Sequence, residues 1–164
     1  MYPEFQKRNC DLLGLSVDSS PSHLAWLKNI YDTTGIKVPF SLISDSNMNI
    51  AKQYNMLAPN ISDTQTIRAV YILDPDQEIK AILQYPKTNG RNIVEILRLL
   101  DALQITNAQK VSTPANWNLG KSTIKSSPTT FGELVKKEEE ANSTQCTDWY
   151  LCYNKRYQPY NLSM

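Results

Sequence analysis

Short apolar, β-branched runs alternate with helical stripes through the first hundred residues, and only a layered α/β arrangement buries both kinds of face at once. Asp11 to Val17 (DLLGLSV) reads as a buried strand that stops at Asp18-Ser19-Ser20-Pro21. Ser20 or Ser22 is placed to cap the next helix, with Pro21 in its first turn, where a missing N–H costs little. Leu24, Leu27, Ile30 and Tyr31 recur at helical spacing until Thr33-Thr34-Gly35. Phe40 to Ile43 is a second buried strand and Met48 to Met56 a short helix. After the polar stretch Asn60 to Thr66, Ala69 to Leu73 forms a third strand. The Asp74-Pro75-Asp76-Gln77 turn joins it to a fourth, Ile79 to Tyr85, as a hairpin. Gly90-Arg91-Asn92 opens a helix whose stripe is Ile93, Ile96, Leu97, Leu100 and Leu103.

The order β-α-β-α-β-β-α gives a mixed sheet with helices on both faces, of the thioredoxin type. From about Asn107 the character changes. Gln109 to Thr130 is rich in Ser, Thr, Lys, Pro and Asn, and Lys136 to Glu140 (KKEEE) is a charge run of the kind found on a solvated helix face. The end of the chain, Cys146-Thr147-Asp148-Trp149-Tyr150-Leu151-Cys152-Tyr153, is aromatic and contains two of the three cysteines. The expected organisation is an α/β domain over residues 1–106, a small second domain over 107–157 and a flexible tail over 158–164.

Charge and composition exclude several functions. With 17 basic and 16 acidic residues the net charge is +1, so no strong field draws a polyanion and nucleic acid is not an expected partner. No apolar run is long enough to span a bilayer, and the polar start shows no signal peptide. Three cysteines are too few, and odd in number, for a secreted disulfide scaffold, which favours a reducing cytoplasmic setting.

Several stretches carry a family resemblance when taken together. They are Phe5-Gln6-Lys7-Arg8-Asn9 leading into Leu13-Gly14-Leu15-Ser16-Val17-Asp18-Ser19; His23-Leu24-Ala25-Trp26; Thr66-Ile67-Arg68; Tyr85-Pro86-Lys87-Thr88-Asn89-Gly90-Arg91-Asn92; and Thr113-Pro114-Ala115-Asn116-Trp117. In order and spacing the chain resembles the one-cysteine-type peroxiredoxins of the alkyl hydroperoxide reductase and thiol-specific antioxidant group. The closing C-T-D-W-Y-L-C resembles a segment of archaeal and bacterial members. The resemblance implies a thioredoxin-like domain, incomplete at its N-terminus here, followed by a small C-terminal peroxiredoxin domain.

The same resemblance implies a chemistry. A cysteine thiolate attacks the O–O bond of hydrogen peroxide or an organic hydroperoxide, leaving a sulfenic acid and releasing water or an alcohol. A neighbouring cation must favour the thiolate and stabilise charge on the leaving oxygen. By motif position that cation is Arg68, supported by Arg91. Cys146 and Cys152 are resolving-cysteine candidates that would attack the sulfenic acid. No cofactor or metal is implied. The implied partners are a hydroperoxide, a thiol reductant, and further copies of the chain in a homodimer or larger oligomer.

The sequence departs from the family at the nucleophile. Members carry a Pro-x-x-x-Thr-x-x-Cys loop that opens a helix, and none of the three cysteines here sits in one. Cys10 has Pro3 at the right distance, but Lys7 stands where the Thr belongs, and Cys10 enters a strand rather than starting a helix. It reads as a small buried hydrophobe. The expectation is an N-terminally truncated thiol peroxidase, inactive alone and prone to aggregate through uncovered apolar surface. The alternatives are a non-catalytic oligomerising remnant and, ranked last, a small redox-sensing protein using Cys146 and Cys152.

Other residues are expected to be structural. Five residues between Cys146 and Cys152 is not the Cys-x-x-Cys redox spacing. A disulfide between them stays open, with unpaired thiols the favoured reading. His23, the single histidine, is expected to have a structural role. Trp26, Trp117 and Trp149 are expected to pack rather than to line a ligand box.

Overall fold

The computed structural model describes residues 1–57, 66–141 and 146–154. The chain forms two compact units, Met1–Ile93 and Val94–Met164. Among the described residues no helix is long and apolar enough to cross a membrane. The polar stretch between residues 58 and 65 and the tail after Tyr157 lie outside the described residues.

The first unit opens with a short helix, α1 (Tyr2–Gln6), with Pro3 in its first turn and Phe5 as its buried residue. Strand β1 (Leu13–Ser16), helix α2 (Ser20–Thr34) and strand β2 (Ser41–Ser44) form a β-α-β unit, with β1 and β2 paired in parallel. Gly14 stands opposite Leu42 in that pairing, and a Cβ added to it would clash with Leu42 Cδ2, so a larger residue there requires the Leu42 side chain to shift. Ser19, rather than Ser20 or Ser22, caps α2, its side chain accepting from the Ser22 N–H. Gly35 closes the helix in the left-handed conformation at φ 69°.

Helix α3 (Asn49–Gln53) is shorter than the stretch expected. Its start is held by buried Asp45, whose carboxylate accepts from the N–H groups of Ile50 (3.1 Å) and Ala51 (2.7 Å). Strands β3 (Arg68–Leu73) and β4 (Ile79–Tyr85) form the expected hairpin. Its turn is fixed by the Gln77 N–H donating to Asp74 O, and by the Glu78 N–H donating to the Asp74 carboxylate.

In the second unit, helix α4 (Ile93–Gln109) carries Ala102 and Ile105 into a core with Trp117, against which Val111 and Leu119 pack. Trp117 is 1% exposed, and its indole N–H donates to Lys121 O. Helix α5 (Phe131–Ala141) begins at a Thr130-x-x-Glu133 capping box. The Glu133 N–H donates to Thr130 Oγ1, and Glu133 Oε2 accepts from the Thr130 N–H. The chain then forms a small hairpin of β5 (Cys146–Asp148) and β6 (Leu151–Cys152).

The expectation that all three tryptophans pack is corrected in part. No residue of α2 is buried, and Leu24, Trp26 and Tyr31 are 67%, 55% and 58% exposed. Of the three tryptophans only Trp117 is a core residue, since Trp149 is also partly exposed. Helical spacing shows that a stripe exists; it does not show how much neighbouring structure covers it.

Candidate active site

Arg68 opens β3 and Arg91 follows the end of β4 by six residues; the hairpin brings them together. Arg68 pairs in register with Tyr85, so the chain leaving β4 turns back over the start of β3. The two arginines then hold each other's backbone. Arg68 Nη1 donates to Asn89 O at 2.9 Å, and Arg91 Nη2 reaches Ala69 O at 3.4 Å.

The side chains are also electrostatically coupled. Burial and then the Arg68 charge lower the Arg91 pKa, while Tyr85 acts in the opposite direction. Among the described residues neither guanidinium forms an ion pair with a carboxylate. Two cations held close by backbone carbonyls favour any anionic group that comes beside them. Asn89 and Tyr85 belong to this site too. The sequence reading quoted both within the Tyr85–Asn92 motif and gave neither a role.

Cys10 is placed unlike an activated nucleophile. It follows α1 after a tight turn, where its N–H donates to Phe5 O and its Sγ lies 3.6 Å from Asp11 O. It is half-buried rather than fully buried. Desolvation and then the Asp11 carboxylate raise its pKa, so both influences favour the thiol over the reactive thiolate. His23 Nε2 lies 2.7 Å from Ser16 Oγ at the end of β1.

The reading of Cys146 and Cys152 as unpaired thiols is corrected: they form a disulfide. The reason is local. A two-residue turn at Trp149-Tyr150, followed by a register shift between Asp148 and Cys146, sets Cys146 opposite Cys152 in the β5–β6 pairing, with their Cα atoms 4.0 Å apart. Five intervening residues look remote in sequence, yet in an antiparallel hairpin they place the ends side by side.

Two neighbouring arginines in the first unit and a disulfide-bonded cysteine pair in the second are the chemically distinctive groups of the chain. Comparison with known proteins places the chain in a family. The AhpC/TSA family matches residues 1–82, and the C-terminal domain of 1-Cys peroxiredoxin matches residues 102–140. Peroxiredoxin 2 of Caldanaerobacter subterraneus subsp. tengcongensis is 50% identical over 155 residues, covering 94% of this chain and 70% of that protein. The peroxiredoxin of Aquifex aeolicus is 44% identical over 164 residues, covering 94% of this chain and 73% of that protein. The crystal structure of a cysteine-to-serine mutant of Peroxiredoxin 6 of Arenicola marina superposes with a TM-score of 0.78 at 30% identity, over 96% of this chain and 76% of that one. A yeast mitochondrial 1-Cys peroxiredoxin does so with 0.76 at 34% identity, over 93% and 74%. The chain belongs to the peroxiredoxin family, whose members are thiol-dependent peroxidases on a thioredoxin-like fold.

Proposed function

We propose that Arg68 and Arg91 are the electropositive half of a site that reduces hydrogen peroxide and organic hydroperoxides, and that the sulfur attacking the peroxide is none of the three cysteines in these 164 residues. The observation that carries this is the reciprocal latch, which fixes two guanidiniums together without a carboxylate between them among the described residues. In this reading Arg68, by its motif position, acts on the reacting atoms and Arg91 supports it. A thiolate beside them gains from their charge, and so does the oxygen that leaves as the O–O bond breaks.

Cys146 and Cys152 act as the resolving pair in this reading, ending the cycle as the disulfide that a thiol reductant reopens. Residues 107–157 form the association domain, through which the chain pairs into dimers or larger oligomers in the cytoplasm. On its own the chain does not turn over peroxide. A second reading, a non-catalytic protein that associates with its own kind, is favoured by the exposed Leu24, Trp26 and Tyr31 of α2.

Activity gained on supplying a nucleophile tests the first reading. The 164-residue chain is expected to consume peroxide no faster than a buffer blank with a dithiol present, and Cys10→Ser to change nothing. A fusion that places a segment carrying a Pro-x-x-x-Thr-x-x-Cys loop ahead of Met1 is expected to gain turnover, and Arg68→Gln in that fusion to lose about 100-fold or more. A folded fusion whose turnover ignores Arg68 overturns the assignment.

A further inference from the structure

We infer that the Cys146–Cys152 disulfide is a thiol-exchange site with one open side, entered by a dithiol reductant through Cys146 Sγ and not through Cys152 Sγ. The two sulfurs share a bond but not an environment. Cys152 is 2% exposed, whereas Cys146 is only half-buried.

The strand bearing Cys152 is tied along its outer edge. The Lys125 N–H donates to Cys152 O at 2.8 Å, Ile124 bridges to Tyr153, and the Asn154 N–H donates to Thr123 O at 2.8 Å. The Asn154 amide also donates to Thr123 Oγ1 at 3.1 Å, and Thr123 is itself buried. Strand β5 pairs with β6 on one side and packs beside α5, and Cys146 at its start keeps a solvent-facing surface.

Thiol–disulfide exchange needs the attacking sulfur in line with the bond that breaks, so the accessible sulfur takes the attack. A reductant thiolate bonds to Cys146 Sγ, the Cys146–Cys152 bond breaks, and the electron pair leaves on Cys152. Cys152 takes a proton, and its Sγ already lies 3.5 Å from Asp148 O and 3.9 Å from Trp149 O. Those carbonyls repel a thiolate, so the proton must reach Cys152 as the S–S bond breaks, a cost that the access to Cys146 has to outweigh; once protonated, Cys152 donates to them. The second thiol of the reductant attacks its own sulfur in the mixed disulfide and frees Cys146. The protein disulfide gains two electrons and the dithiol is oxidised to a disulfide.

The inference rests on the thiol-redox reading above only in taking a dithiol as the natural attacker. Because exchange is measured without peroxide, its failure and the failure of the peroxidase reading are separable. The oxidised full chain carrying Cys10→Ser is treated briefly with glutathione, quenched in acid, and mapped by peptide mass spectrometry. Glutathione is expected on Cys146 over Cys152 by about ten-fold or more. Equal labelling, labelling mainly of Cys152, or two free thiols in the air-oxidised chain would overturn the inference.

Single-cysteine variants supply the second measurement. In the Cys10→Ser background, Cys152→Ser leaves Cys146 alone and Cys146→Ser leaves Cys152 alone. An aromatic disulfide reagent is expected to react about ten-fold faster with the first than with the second. Equal rates in variants whose circular dichroism matches the parent contradict it; where either variant unfolds, the glutathione map on the paired chain decides.

Discussion

Replacing Ile105 by Ala tests the core that supports the second unit. Ile105 is fully buried, at 0% exposure, between Ala102 and Trp117. The change removes three carbon groups at about 0.8 kcal/mol each, roughly 2.4 kcal/mol of lost transfer energy. The cavity raises the total to about 3–4 kcal/mol, because Trp117 cannot collapse into it while its indole N–H is bound to Lys121 O. Urea unfolding followed by tryptophan emission reads the effect, since Trp117 passes from 1% exposure to water while Trp26 and Trp149 begin partly wet. Val94→Ala, at a position 66% exposed in the same helix, is the control and is expected to change stability by no more than about 0.5 kcal/mol. A loss below about 1 kcal/mol for Ile105→Ala would refute the assignment of Ala102, Ile105 and Trp117 as the core.

Asp45→Ala strips the part-buried N–H of Ile50 and the buried N–H of Ala51 of their acceptor and is expected to cost about 1–3 kcal/mol by chemical denaturation, with Asp45→Asn costing less. Asp74 is held below the ordinary carboxylate range, first by its hydrogen bond from Lys80 and then by the Glu78 backbone N–H. A folded-state pKa below the unfolded value contributes stability that is present above the unfolded pKa and lost as pH falls through the folded one. The Asp74 carboxyl resonance is therefore expected to titrate below about 3.9, and Lys80→Met to move its midpoint upward.

How much of this could be read from residues differs from place to place. The β3–β4 hairpin was plain, because two β-branched runs flank Asp74-Pro75-Asp76-Gln77, a local signal that tertiary context does not override. Arg68 and Arg91 were singled out only through resemblance. Their mutual latch was not legible, because it depends on the Arg68–Tyr85 register and on which carbonyls, Asn89 and Ala69, the turn presents. The disulfide was hidden for a similar reason: the Trp149-Tyr150 turn contains no Gly, Asn or Pro to announce it, so the closeness of Cys146 and Cys152 exists only in the folded hairpin. The exposure of α2 was illegible in principle, since a stripe of Leu24, Leu27, Ile30 and Tyr31 describes one surface and not its partner.

The chemical state of Cys10 under peroxide tests the central claim most directly. With desolvation and Asp11 both favouring its thiol, the full chain exposed to hydrogen peroxide and a sulfenic-acid trap is expected to show adduct on Cys10 no greater than the untreated control. Near-stoichiometric adduct on Cys10 that disappears in Arg68→Gln would contradict the account, because it would place the attacking sulfur inside these 164 residues and beside the arginine pair.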